Sequence, residues 1–310
     1  MKHFLSFHTI FILDENIKWL EEFLIYYIHI GFDHFYLYDN EGTSGGDGSS
    51  TKNKYDFPID VNNNTENNTL LQKILEKYHD KITYIKWQPR DENGKITYAQ
   101  TDGIRHFIKN YGHETEWIAL LDLDEFIFSQ TDVDIRDYLQ KLPSEVSSIT
   151  ISQKKFEDRF LTPNDFSITK NFKCINKEID FSWAPKNIVR CSDFLNIENI
   201  HTIVVKNKTI QVDPSILRFN HYNTNDKQLK WMKSFYNSST DFHLDGIDDG
   251  MQKYAVLLEK KPESESFISS NTFEADSSWV FILPSVLLLG FVLSKWYISL
   301  KRKNRNNFFS

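Results

Sequence analysis

The chain has 310 residues, 40% of them hydrophobic and 15% aromatic, enough apolar content to bury a sizeable core and to exclude a disordered protein. A formal net charge of −7 leaves no basic footprint for nucleic acid, whose phosphate backbone requires clustered Lys and Arg. Its two cysteines, Cys174 and Cys191, lack C-x-x-C spacing, so zinc-finger and dithiol-redox readings have no support; one disulfide and two buried thiols both stay open.

Residues 4–13 read as a strand. Asp14 is the expected N-cap of a helix whose apolar residues Ile17, Leu20, Leu24, Tyr27 and Ile28 form one face, and Gly31 ends it. "DHFYLYDN" is an aromatic strand finishing at Asp39 and Asn40, and residues 41–68 form a polar, Gly/Ser/Asn-rich loop with no hydrophobic period. A helix near 69–79, a strand at 81–87, a helix near 97–111 and a strand at 117–122 follow. This alternation predicts an α/β fold with a mostly parallel sheet flanked by helices. Ligands bind such sheets beyond the carboxyl ends of the strands, where Asp39 and Asp122 both fall. In the second half "SSITISQKKF" and "HTIVVKNKTIQV" read as strands and "NDKQLKWMKSFYN" as a helix.

Residues 1–261 are expected to form the folded domain, with a polar linker at 262–277. The segment 279–300, "WVFILPSVLLLGFVLSKWYISL", is apolar over roughly 22 residues, about 33 Å of helix, which matches a bilayer core. Trp279, Trp296 and Tyr297 suit the interface, and Lys295 can snorkel, so a single membrane-spanning helix is expected; a buried core helix is the other reading. The basic tail 301–310 favours a cytoplasmic C-terminus, placing the domain in a lumen or outside the cell. The N-terminal segment carries no cleavage site and reads as a strand, which disagrees, so the side is left open. Sequons at Asn63, Asn67, Asn207 and Asn237 are weak support for a lumen, because an Asn-rich chain produces them by chance.

"WIALLDLDEFIF", residues 117–128, drives a buried strand into Asp122, Asp124 and Glu125. Clustered carboxylates raise one another's pKa unless a cation is supplied, so something must neutralise them. A D-x-D just beyond a strand offers hard oxygen ligands for Mn2+ or Mg2+ bridging a diphosphate. A solvated strand end is the competing reading. Asp132 and Asp134 repeat the spacing without the preceding apolar run and read as a helix cap.

The blocks "IKWLEEFLIYYIHIGFDHFYLYDN", "AQTDGIRHFI", "WIALLDLDEFI", "PKNIVR", "IHTIVV" and "RFNHYNTND" resemble, in order and rough spacing, glycosyltransferase family 92 and its family-2-like relatives, which have the GT-A fold. The resemblance implies transfer of a sugar, a hexose being expected, from a nucleotide-sugar donor to a glycan acceptor, with inversion and with Mn2+ or Mg2+ as cofactor. It implies that Asp122 and Asp124 hold the metal, Asp124 most directly, and that His221 completes the site. It places Asp39 near the nucleotide base or ribose, Asp102 at the donor, and Lys186 and Arg190 at phosphate or acceptor. The bland alternatives are a turn cap for Asp39, a surface charge for Asp102, exposed strand-face charges for Lys186 and Arg190, and a structural imidazole for His221. Inverting transfer needs a carboxylate base, for which Glu157, Asp158 and Asp226 are candidates, with Glu125 a positioner of the metal pair. The chain departs from its relatives at "LDEN", where they usually carry Lys-Asn-Glu, and at Tyr27, where a His is common. The altered "LDEN" segment gives some support to a rival, a membrane-tethered, inactive glycan- or partner-binding protein. A Mg2+-dependent phosphohydrolase fits the acids but lacks a nucleophile.

Overall fold

The computed structural model describes residues 1–43, 65–156, 167–175, 184–222 and 246–259. Most of the expected polar loop, the helix at "NDKQLKWMKSFYN", the linker, the membrane span, the basic tail, and Glu157, Asp158 and Asp226 all lie outside the described residues. Among the described residues no helix is long and apolar enough to cross a membrane.

The first half alternates as expected. β1 (His3–Phe11), β2 (His34–Asp39), β3 (Ile82–Lys86) and β4 (Thr115–Leu120) lie parallel in the order β3-β2-β1-β4, separated in sequence by α1 (Leu13–His29), α2 (Thr65–Lys77) and α3 (Gln100–Tyr111). Both faces of β1 and β2 are covered, which explains their near-continuous apolar runs. Leu5, Phe7 and Phe11 pack with Leu20, Phe23 and Tyr27 of α1. On the other face, Ile10, Tyr36 and Tyr38 pack with Ile104 and Phe107 of α3. The Phe7 ring lies 4.8 Å from Phe23 and 4.5 Å from Tyr27, edge-on in both cases, so α1 is seated on β1 through aromatic contacts.

The second half corrects one expectation: the sheet is mixed, not mostly parallel. β5 (Glu125–Phe128) is followed by α4 (Ile135–Gln140), the long β6 (Val146–Phe156), α5 (Ile168–Asn171), β7 (Cys174–Ile175), β8 (Lys186–Arg190), β9 (Phe194–Asn199), β10 (Thr202–Val205), β11 (Lys208–Gln211), β12 (Arg218–Tyr222) and β13 (Gly246–Ile247). β8 inserts antiparallel between β4 and β6, while β11 and β12 line the far edge of β6 in parallel, and β5 pairs antiparallel with β12. Among the described residues the helices between these strands are short, and strands joined without long crossover helices admit antiparallel pairing. "HTIVVKNKTIQV" splits at Lys206 and Asn207: its first part forms a hairpin with β9, its second joins β6.

Helix ends follow local chemistry. Asp14 is not the N-cap; the helix begins at Leu13, Asn16 Oδ1 accepts the Ile12 N–H at 3.1 Å, and Asp14 lies in the first turn. Asp134 caps α4, accepting the N–H groups of Arg136 and Asp137, as its spacing predicted. Cys191 is a buried free thiol whose pKa burial raises. Gly31 terminates α1 with φ +99°, while its N–H and that of Phe32 reach back to Ile28 and Tyr27. A Cβ there would stand 2.7 Å from Arg136 Cδ. Gly31→Ala is expected to destabilise the fold by about 1–2 kcal/mol in urea denaturation, from left-handed strain plus displacement of Arg136; an unchanged midpoint would contradict this account of the helix end.

Candidate active site

β4 delivers its chain end to a tight turn at residues 121–124. The Glu125 N–H bonds the Asp122 carbonyl at 3.1 Å, and the Glu125 carboxylate folds back to accept the Asp122 N–H at 2.9 Å. The Tyr27 hydroxyl donates to the Glu125 carbonyl at 2.7 Å and accepts the Ile127 N–H at 3.0 Å, while the Tyr26 hydroxyl donates to the Ile127 carbonyl. From the other side, the Tyr222 N–H bonds the Asp124 carbonyl at 2.8 Å. Two tyrosines of one helix and one strand therefore hold the backbone that carries the three acids.

The neutralising cation that the sequence demanded is Lys186, the first residue of β8. Its ammonium lies 2.6 Å from Asp122 Oδ2 and 3.1 Å from Glu125 Oε2, with the lysine side chain only 3% exposed. Gln100, opening α3, donates to the other Asp122 oxygen at 2.9 Å. Burial alone would raise the Asp122 pKa, but the adjacent ammonium outweighs it and holds the carboxyl below the usual range. Glu125 shifts the other way, because burial, with help from Asp122 and Asp124, exceeds what Lys186 supplies. Burial would depress the Lys186 pKa, yet the two carboxylates reverse this and keep it protonated.

Asp124 and His221 form a second pair. Asp124 Oδ2 and His221 Nε2 stand 3.6 Å apart, too far for a good hydrogen bond. That gap suits two ligands of one ion, since bonds of about 2.1 Å meeting at 90–120° separate their donors by about 3.0–3.6 Å. Burial would lower the His221 pKa, but Asp124 and Glu125 overcome it and raise it. Carboxylate plus imidazole therefore fits a divalent cation of the Mn2+ type. Among the described residues, however, no three His, Cys, Asp or Glu side chains already converge as a metal group.

Two further residues meet the cluster. His201, in the turn between β9 and β10, uses its Nδ1–H to bond the Pro185 carbonyl at 3.0 Å, which leaves Nε2 as the acceptor in the neutral ring. It is close enough to Asp122, Lys186 and His221 to feel their charges, and burial lowers its pKa. His8 of β1 lines a cavity of about 10 Å³ together with Gln100, Asp122 and Lys186, and its Nε2 has no hydrogen-bond partner among the described residues. Sequence reading assigned neither; only the "IHTIVV" block gave a signal, for His201. A larger cavity of about 250 Å³ lies beside Tyr26, Ser129 and Tyr254, past the far end of β5 from the acids.

Asp39 sits at the same sheet edge as Asp122 but is fully buried; it accepts the Glu41 N–H at 2.9 Å, the Tyr84 hydroxyl at 2.5 Å and Lys86 at 2.8 Å. Asp102 is 64% exposed on α3 and pairs with Arg105 at 2.8 Å. Lys186 is buried, not on an exposed strand face. Arg190 pairs with Glu116 at 2.5 Å and stacks on Trp117, alongside the early part of β4 and away from the acid cluster.

An acid-rich site at the carboxyl ends of parallel strands, holding a buried lysine and a carboxylate–imidazole pair, lies where α/β sheets bind their ligands. Residues 62–254, well over half of the chain, match glycosyltransferase family 92, and the chain belongs to that family. Membership makes it a transferase with a sugar donor and an acceptor as substrates. No curated protein shows significant similarity to the chain.

Tyr27→Phe removes a hydroxyl that serves two buried backbone groups, so a loss of about 1–3 kcal/mol is expected by urea denaturation; a value near zero would mean the turn is held otherwise. His8 offers a pH signature. Burial depresses its folded pKa to about 3, so its contribution is full above the unfolded value of about 6.5 and is lost as pH falls towards 3. Between pH 6.5 and pH 5 it accounts for about 2 kcal/mol, which His8→Gln should remove from the wild-type pH dependence of unfolding. Identical slopes in the two proteins would contradict a neutral, buried His8.

Proposed function

We propose that the protein moves a hexose from a nucleotide-sugar donor to a glycan acceptor with inversion, in a reaction dependent on Mn2+ or Mg2+. The observation that carries this reading is the Asp124–His221 separation of 3.6 Å beside the compensated Asp122, at the strand end where α/β sheets bind ligands, in a family 92 chain. Asp124 and His221 would hold the cation, with Asp122 adjacent. Bound there with the donor, a divalent ion supplies charge neutralisation for the diphosphate and for its departure as leaving group.

The chain's own groups have distinct tasks. The tyrosine clamp keeps Asp124 from moving as ligands arrive, and Gln100 orients Asp122. His201, with Nε2 as acceptor, is poised to receive a hydrogen bond from a ligand hydroxyl. Glu157, Asp158 and Asp226 are the proposed sources of the base that takes the acceptor proton in a single displacement. Residues 279–300 are the proposed membrane tether, with lipid as partner.

Release of nucleoside diphosphate from a panel of nucleotide sugars with Mn2+ tests the proposal. Wild type should turn over at least one donor, chelation by EDTA should abolish the signal, and Asp124→Asn should lower it by on the order of 100-fold. Equal signals from wild type and Asp124→Asn would sink the metal-dependent transferase reading.

A further inference from the structure

We propose that Lys186 is a built-in counter-cation that occupies the metal's place at Asp122 and Glu125, confining the divalent ion to Asp124 and His221. The inference takes from the function proposed above only the divalent ion, not the sugar-transfer step. Lys186 Nζ stands 2.6 Å from Asp122 Oδ2 and 3.1 Å from Glu125 Oε2. It is aimed there by β8, whose register pairs Lys186 with Ile151 and the neighbouring Asn187 with Leu120, the last residue of β4.

The two acids are also held by other groups. Asp122 Oδ1 accepts Gln100, and Glu125 Oε2 accepts the Asp122 N–H as well as Lys186. Asp122 would have to trade its ammonium for a metal, and that exchange would leave the buried lysine with Glu125 alone and set a second cation beside it, which is unfavourable. Asp124 and His221 face no such exchange: they are 3.6 Å apart, and among the described residues neither forms an ion pair with a lysine or arginine. Two protein ligands alone make a weak site for a hard cation, so ion binding here depends on oxygens brought by a diphosphate. The acid cluster thus keeps its geometry before any metal arrives, and cation and donor bind together.

Thermal unfolding of the full chain in mild detergent separates the alternatives. Wild type in metal-free buffer should gain no more than about 2 °C in Tm from millimolar Mn2+ alone, because a weak site adds little stability. Lys186→Met should lose roughly 10 °C, having left two buried carboxylates unpaired, and Mn2+ should restore most of it by taking the ammonium's place. Combining Lys186→Met with Asp122→Asn and Glu125→Gln removes cation and anions together and should return Tm close to wild type without metal. By electron paramagnetic resonance of free Mn2+, Asp124→Asn should weaken binding about tenfold or more, while Asp122→Asn stays within about threefold.

The proposal is overturned by a Lys186→Met loss that Mn2+ does not restore, by a triple variant as unstable as the single one, or by equal effects of Asp122→Asn and Asp124→Asn. None of these readouts needs a sugar donor. A chain that shows the pattern yet transfers no sugar would refute the proposed reaction and leave the counter-cation intact.

Discussion

The contact between one buried ammonium and two carboxylates, Lys186 with Asp122 and Glu125, is the constraint around which the rest of the molecule is arranged. Three acids at a strand end cannot be packed against an apolar core without a partner, because desolvation of each charge costs several kcal/mol. The partner must also approach the carboxyl end of β4. An antiparallel β8 meets this need with its first residue, since the start of an antiparallel strand lies beside the end of its neighbour. The departure from a mostly parallel sheet and the neutralisation of the acids are therefore one feature.

The backbone around the acids is held by groups drawn from distant parts of the chain. α1 supplies the Tyr26 and Tyr27 hydroxyls and β12 the Tyr222 N–H to that backbone, while Gln100 of α3 bonds the Asp122 carboxylate and His201 of the β9–β10 turn bonds the Pro185 carbonyl beside Lys186. The Tyr27 ring also packs against Phe7, Phe23 and Phe32, so the side chain that clamps the site is fixed in turn by the core. A site braced this way is preorganised, which is what positioning for group transfer requires. Tyr27 therefore has a structural task of its own here.

Much of the frame was legible without coordinates. β1 to β4 and α1 to α3 follow from hydrophobic periods and turn residues, and Gly31 and Asp134 announce helix boundaries through local chemistry that needs no distant partner. Asp122 and Asp124 were legible because an apolar run ending in acids is conspicuous. Lys186 was legible as a residue but not as an interaction: a five-residue strand with a lysine at its start reads as an exposed face, and only its insertion between β4 and β6 buries it. Arg190 shows the converse, since the same short strand carries it away from the acids to Glu116 and Trp117.

Local pattern along the chain set the alternating first half, the family resemblance, and the need of three carboxylates at a strand end for a positive partner. These are properties of near neighbours along the chain, where period, capping and charge density act over a few residues. Which cation answers that need, the saturation of Asp39 by Tyr84 and Lys86, and the facing of Asp124 and His221 came from three-dimensional packing. Those outcomes depend on register and strand order, which bring together residues up to about a hundred positions apart, and a single-residue shift in register would turn each side chain to the opposite face.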